Sequence, residues 1–318
     1  MNVPPKIVVA HATFDIKSFV DAWPEPTDCV WAKSRAELLA LLPEAEILVT
    51  MTLWEPRYFD LAPKLRLVQA MSSGVDLYDI ESFRQHGVHL ASARGVNANA
   101  VAQHALAMML ALARHLPQAR DDQHKSFWRK WGGEVNGRRR ELGDSHVVIV
   151  GFGDIGKRLA SLCLALGQRV TVVRKHVTEQ SDMPVQVVGQ ASLADAVKDA
   201  DYLILACPAT PETIGLVDHT IFAHMKKDAS LINVARGSVV VEDDLIAALR
   251  NGQIASAGLD TFRKEPLPPE SPLWGMSNVI ITPHVAGDTT VYEERVAAIL
   301  QQNVTRLMAD EPLINQIV

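Results

Sequence analysis

Short apolar runs alternate with stretches of helical periodicity along most of the chain. In the N-terminal third, Lys6–Ala10, Ile47–Thr50, Leu65–Met71 and Val88–Ser92 read as strands, with Arg35–Leu42 as a helix between them. Such alternation predicts an α/β layer with a parallel sheet. Ala98 to Arg114 is rich in Ala, Leu and Met and apolar on most sides, which predicts a long buried helix packed between domains or against another subunit. From His146 the alternation restarts, with strands expected at 146–150, 169–173, 186–189, 201–207, 230–235, 254–260 and 278–284. That series predicts a second, doubly wound parallel sheet. Thr289 to Ala309 has the pattern of an amphipathic helix, and Pro312–Val318 trails behind it. A helix that follows a completed sheet can return to the first domain. The expected division is therefore 1–97 plus 289–318 as a discontinuous substrate-binding domain, and 98–288 as a dinucleotide-binding domain.

Length and composition agree with two cores rather than one. The chain has 318 residues, of which 48% are hydrophobic and 21% charged, as in ordinary globular proteins. A net charge of −6 argues against nucleic acid as the main partner without excluding a local basic pocket. Three cysteines at wide spacing, Cys29, Cys163 and Cys207, suggest neither a disulfide framework nor a metal site. The N-terminus lacks a signal-peptide layout, and no apolar run is long enough for a membrane span. A soluble, reduced, cytoplasmic protein is expected.

The most specific signal lies in Val147-Val-Ile-Val-Gly-Phe-Gly-Asp-Ile-Gly156. Four apolar residues form a buried strand, and Gly151, Gly153 and Gly156 open the next helix. The first permits a tight turn, the second lets backbone N–H groups approach a pyrophosphate, and the third allows close helix–strand packing. Asp154 and Ile155 fall in the same first turn. In an NAD site the following strand usually ends in an acidic residue that accepts from the adenosine ribose hydroxyls. Here Arg174 stands in that place, followed by Lys175 and His176. Those bases would welcome a 2′-phosphate, so NADP(H) is expected in preference to NAD(H).

Further along, charged residues sit where strands should end. Arg236 closes Asn233-Val-Ala-Arg, Asp260 closes Ala257-Gly-Leu-Asp with Glu265 in the next loop, and His284 follows Thr282-Pro. Ligands bind outside the carboxyl ends of strands in open parallel sheets, so these side chains can converge. Glu270 shares a loop with Glu265 and is the alternative partner for His284.

These motifs, in this order, resemble the D-isomer-specific 2-hydroxyacid dehydrogenase family. The likeness extends to Met71-Ser-Ser-Gly-Val-Asp76 and to Cys207-Pro-Ala-Thr-Pro-Glu-Thr213, and so covers nearly the whole chain. It implies two Rossmann-like or flavodoxin-like α/β domains with parallel sheets and an active site in the cleft between them. It also implies roles. Arg236 would fork onto the carboxylate and keto oxygens of a 2-oxo acid, and His284 would be the proton donor. Since an ordinary imidazole titrates near about 6.5, a carboxylate beside it is needed near neutrality, and Glu265 resembles the family's glutamate. Ser73 and Gly74 resemble the loop whose backbone N–H groups hold the substrate carboxylate. Gly151, Gly153, Asp154, Ile155, Gly156, Arg174, Lys175, Cys207, Pro208, Thr213, Val234, Ala235, Asp260, His284 and Gly287 would line the cofactor.

The resemblance implies an NADPH-dependent reductase of a small 2-oxo acid, glyoxylate or hydroxypyruvate foremost, working as a homodimer. A bulkier apolar 2-oxo acid is the alternative if Trp54 lines an open pocket as a substrate contact. Phosphite dehydrogenase and a nucleotide-sensing corepressor share the architecture. Short termini tilt away from the corepressor and from the regulated phosphoglycerate type, and Glu265 stands where formate dehydrogenases carry Gln. Trp128 and Trp131 on the connecting segment suit a subunit interface. His104 reads as a packed or interface histidine, and Gln103 replaces a glutamate common in the family.

Overall fold

Val, Ile and Leu dominate the apolar runs, and in the computed structural model these runs are strands buried on both faces, as parallel sheets require. The structure describes residues 4–130, 138–175, 177 and 181–318. It divides into two units, Met1–Asn97 with Thr289–Val318, and Ala98–Asp288. Both sheets are parallel throughout, five strands in the first and seven in the second.

In the first unit the sheet order is β2-β1-β3-β4-β5, from β1 (Lys6–Ala10), β2 (Asp28–Ala32), β3 (Ile47–Thr50), β4 (Leu67–Ala70) and β5 (His89–Ala91). Successive side chains alternate faces. Val8, Leu48, Val68 and Leu90 join one core, whereas Ile7, Val9, Ile47 and Val49 join the other. Helices α1 (Ile16–Val20), α2 (Arg35–Leu41), α3 (Tyr58–Leu61) and α4 (Ile80–His86) connect the strands. Ser34 caps α2 by accepting from the Glu37 N–H, and α4 stops at Gly87, whose φ of 64° is left-handed. Strand β2 was not expected from the pattern: it is a half-exposed edge strand whose apolar stretch is only Cys29–Ala32.

The last helix, α11 (Tyr292–Met308), belongs to this unit and packs Val296 and Leu300 into the second core with Ile16 and Val20 of α1. The side-chain amide of Asn303 donates to Gln69 at 2.8 Å, and both residues are fully buried. The tail behind it pairs with β5. Ile317 N–H donates to Leu90 O and Leu90 N–H to Val318 O, which covers a sheet edge.

The second unit begins with α5 (Ala98–Ala113) and α6 (Leu116–His124), followed by β6 (His146–Val150), α7 (Asp154–Ala165), β7 (Arg169–Arg174), β8 (Gln186–Gly189), α8 (Leu193–Ala196) and β9 (Tyr202–Leu205). Then come α9 (His219–His224), β10 (Ser230–Asn233), α10 (Glu242–Arg250), β11 (Ser256–Leu259) and β12 (Val279–Ile281). The expected strands are all present, several a residue or two shorter at the ends. Helix α5 departs from expectation. Only Val101, Ala102, Ala105, Met108, Met109 and Ala113 are buried, as one stripe, and Leu110 on the opposite side stays exposed.

Strand order is β12-β11-β10-β9-β6-β7-β8. The chain runs outward from β6 one way, returns, and runs the other way from β9, so the switch point lies between β6 and β9. The register aligns the strand ends. Ile281, Leu259, Asn233, Leu205, Val150 and Val173 are successive neighbours along one row. Residues just past this row therefore stand along one edge of the sheet.

Candidate active site

Past the row at β6, Gly151 has φ 102°, and a Cβ there would lie 2.6 Å from Ala206 O and 2.9 Å from Cys207 Cα. The turn thus presses on the segment after β9, and only glycine fits. Gly156 meets the turn from the other side: a Cβ on it would lie 2.1 Å from Gly151 O. Gly153 caps α7 with no heavy atom within 4 Å of an added Cβ, so open space lies over the helix N-terminus. A helix start with unpaired N–H groups and open space is suited to a pyrophosphate. Asp154 and Ile155 begin that helix. The residues therefore fit a dinucleotide.

The segment after β9 is closed by Thr213, whose hydroxyl donates to Pro208 O at 2.6 Å and accepts from Thr210 N–H at 2.8 Å. Cys207 is buried, and burial pushes its thiol up to about 11. On the far side of the glycine loop, Arg174 ends β7 and Lys175 follows it. The Lys175 ammonium donates to Glu212 at 2.8 Å; with the Thr210 hydroxyl, it holds the Glu212 carboxyl down at about 2. His176 lies outside the described residues, as does Trp131.

At the other end of the row the catalytic candidates come together by a different device. Asn233, 1% exposed, donates to Arg236 O at 3.0 Å and accepts from Ala235 N–H at 3.0 Å, which fixes the turn carrying Arg236 and leaves Val234 and Ala235 buried. Gly237 then touches the chain after β11, since a Cβ on it would fall 1.8 Å from Phe262 C. That contact sets the loop in which the Glu265 carboxylate accepts from Phe262 N–H at 2.9 Å and, through its other oxygen, pairs with His284 Nδ1 at 2.7 Å. Glu265, and not Glu270, is the partner of His284. With Nδ1 engaged, Nε2 is the ring atom left to exchange a proton with a ligand.

His284 has φ 55°, a left-handed backbone rare outside glycine. Asp260 secures it. One carboxylate oxygen accepts from the Thr282 hydroxyl at 2.6 Å and Val285 N–H at 2.9 Å, the other from Ala286 N–H at 3.0 Å. The Thr282 hydroxyl accepts in turn from His104 Nε2 at 3.0 Å. Asp260 is 1% exposed, so its carboxylate serves the His284 loop rather than an open surface. Asn233, Thr282 and Phe262 were missed in the sequence because their parts depend on hydrogen bonds between strand ends. Gly287 follows the same loop, half-buried.

Beside the His284–Glu265 pair lies a cavity of about 420 Å³ whose wall is mainly apolar, from Phe262, Pro266, Leu267, Trp274, Ile281 and Pro283. In the first unit, Ser73 donates its hydroxyl to Asn97 at 3.1 Å, and the Ser72 hydroxyl donates to Gly74 O at 2.6 Å, which shapes the Ser73–Gly74 turn. Trp54 corrects an expectation. Its ring packs among Tyr58, Phe59, Tyr78 and Phe83, and only 9% of the residue is exposed, so it is a core residue and not the wall of an open pocket. Among the described residues no helix is long and apolar enough to cross a membrane.

Residues 106–286 match the family model for the NAD-binding domain of D-isomer-specific 2-hydroxyacid dehydrogenases. Glyoxylate reductase of Pyrococcus furiosus is 32% identical over 290 residues, covering 90% of this chain and 84% of that one. The mouse glyoxylate reductase/hydroxypyruvate reductase is 34% identical over 242 residues, covering 75% and 72%. D-3-phosphoglycerate dehydrogenase of Archaeoglobus fulgidus is 31% identical, with 89% of this chain aligned to 53% of a longer protein. Among solved structures, a family member from Aeromonas salmonicida superposes with a TM-score of 0.87 at 29% identity, covering 98% and 99%. A second, from Xanthobacter autotrophicus in complex with NADPH, gives 0.82 at 28% identity, covering 99% and 98%.

Proposed function

The chain belongs to the D-isomer-specific 2-hydroxyacid dehydrogenase family of oxidoreductases, and we propose that it is an NADPH-dependent reductase of a small 2-oxo acid, glyoxylate or hydroxypyruvate foremost. One observation carries the reading: the His284–Glu265 pair stands on the same row of strand ends as the glycine loop and Arg174.

When bound, the cofactor supplies the hydride. Arg236, charged at any working pH, holds the substrate carboxylate and polarises the keto oxygen. His284 Nε2 gives the proton to that oxygen as negative charge develops on it. Glu265 favours the protonated ring beforehand and fixes its orientation through Nδ1. Asp260 and Thr282 keep the donor in place. The Ser73–Gly74 turn is assigned to the substrate carboxylate, and the segment from Cys207 to Thr213, with Val234, Ala235 and Gly287, to the cofactor. The preference for NADP(H) over NAD(H) rests on Arg174 and Lys175 in place of a carboxylate. Two NADP(H)-bound structural neighbours agree with it.

A bulkier apolar 2-oxo acid is a second reading, favoured by the apolar cavity beside His284 now that Trp54 is accounted for by packing. Assay of NADPH oxidation with glyoxylate, hydroxypyruvate, 4-methyl-2-oxopentanoate and phenylpyruvate separates the two. The first reading expects the higher kcat/KM for the two small acids; a reversal selects the second, and no turnover with any of them overturns both. We also assign a homodimer, supported by the exposed Leu110, Leu116, Phe127 and Trp128 on and after α5 and α6. Light scattering should give the mass of two chains, and a single-chain mass would refute it.

A further inference from the structure

The Lys175–Glu212 ion pair has no part in the chemistry above, yet its position is informative. Lys175 follows β7 and Glu212 follows β9, with β6 between those strands. The pair therefore bridges the two segments that flank the glycine loop, at the topological switch point where a dinucleotide enters. Glu212 is not loosely placed. Its carbonyl accepts from the Gln190 side chain at 2.6 Å, and the Thr210–Thr213 turn precedes it.

We propose that Glu212 is a specificity-determining residue for the adenosine end of the cofactor, holding Lys175 in a pair that a 2′-phosphate must take over. The inference rests on the NADP(H) reading. A 2′-phosphate and the Glu212 carboxylate are both anions competing for one ammonium. Binding a phosphorylated nucleotide thus requires Lys175 to change partner, while a nucleotide with a free 2′-hydroxyl leaves the pair intact. Glu212 thereby narrows the margin between the two cofactors instead of widening it. Both side chains are about half exposed or more, so the pair is weak enough for a dianion to break.

The alternative reading is an idle surface ion pair, and the two differ in what Glu212→Gln does. Binding of 2′,5′-ADP and of 5′-AMP is measured by calorimetry on the full chain, in wild type, Glu212→Gln, Lys175→Met and the double variant. The expected result is 2′,5′-ADP binding tightened about threefold to tenfold by Glu212→Gln, with 5′-AMP changed less than about twofold. In the Lys175→Met background the gain should shrink, because the contested ammonium is gone. No gain, an equal gain for both nucleotides, or a gain undiminished without Lys175 overturns the proposal. If wild type binds 2′,5′-ADP no better than 5′-AMP, the NADP(H) reading itself fails, which is distinct from an unresponsive Glu212 in a protein that does prefer the phosphate.

Discussion

A histidine ring has two nitrogens, and the use of His284 depends on which one the protein occupies. Glu265 takes Nδ1, and its second oxygen is itself tied to Phe262 N–H, so the carboxylate has a fixed position. Glu265→Gln keeps the shape but removes the charge that favours the protonated ring. The alkaline limb of the rate of 2-oxo acid reduction should move to lower pH, with the KM for NADPH nearly unchanged. An unmoved pH profile would remove Glu265 from the scheme. At this scale the sequence was legible wherever a residue acts through its own side chain: Arg236, His284, Glu265 and the glycines could all be picked out. Asn233, Thr282 and the true part of Asp260 could not, because they act by holding neighbouring strand ends together. Trp54 misled for a related reason. An aromatic residue after a strand looks the same in sequence whether it faces a ligand or four other rings.

At the scale of elements the alternation of apolar and helical stretches carried most of the prediction, since parallel strands buried on both faces write themselves as continuous apolar runs. Edge strand β2 was lost for the converse reason, being only half-buried. The one-sided burial of α5 was also hidden, because an Ala/Leu/Met composition leaves no polar stripe to mark the outer face. One element hides a titrating group far from the chemistry. His146 opens β6, buried, with Nε2 against the Thr171 hydroxyl at 2.8 Å and Nδ1 against Asp199 at 3.1 Å. Burial, then the Arg169 guanidinium, lowers its pKa, and Asp199 only partly opposes them. The folded chain therefore binds this proton less readily than the unfolded chain. Its contribution is unfavourable to the fold once pH falls below the ordinary histidine value of about 6.5. Between pH 7 and pH 5 denaturant unfolding should lose stability more steeply in wild type than in His146→Gln; His11 and His115, also lowered, are common to both. Parallel curves would show that His146 takes up its proton in the fold as easily as out of it.

On the scale of the whole molecule, a chain of net charge −6 has to bind a polyanionic cofactor. Its long-range field opposes that encounter, so affinity depends on local features: the α7 N-terminus for the pyrophosphate, and Arg174 with Lys175 for a 2′-phosphate. The two parts respond differently to salt and to mutation. Each unit has its own cores, so cofactor binding should act on the unfolding of the 98–288 unit. NADPH at a hundredfold excess over its Kd adds about 2.7 kcal/mol to that unit's stability, which for a unit of this size raises the midpoint by roughly 5–10 °C. NADH at the same concentration, bound about tenfold more weakly, should contribute about 1.4 kcal/mol less. Arg174→Ala should bring the two shifts together by lowering the NADPH value, because it removes a cation that only the 2′-phosphate uses. Raising the salt concentration should do the same in wild type, as screening weakens the phosphate contact more than the ring and backbone contacts common to both cofactors. Equal shifts for NADPH and NADH in wild type at low salt would mean that Arg174 and Lys175 are merely a solvated strand end, and that the reductase does not discriminate between its cofactors there.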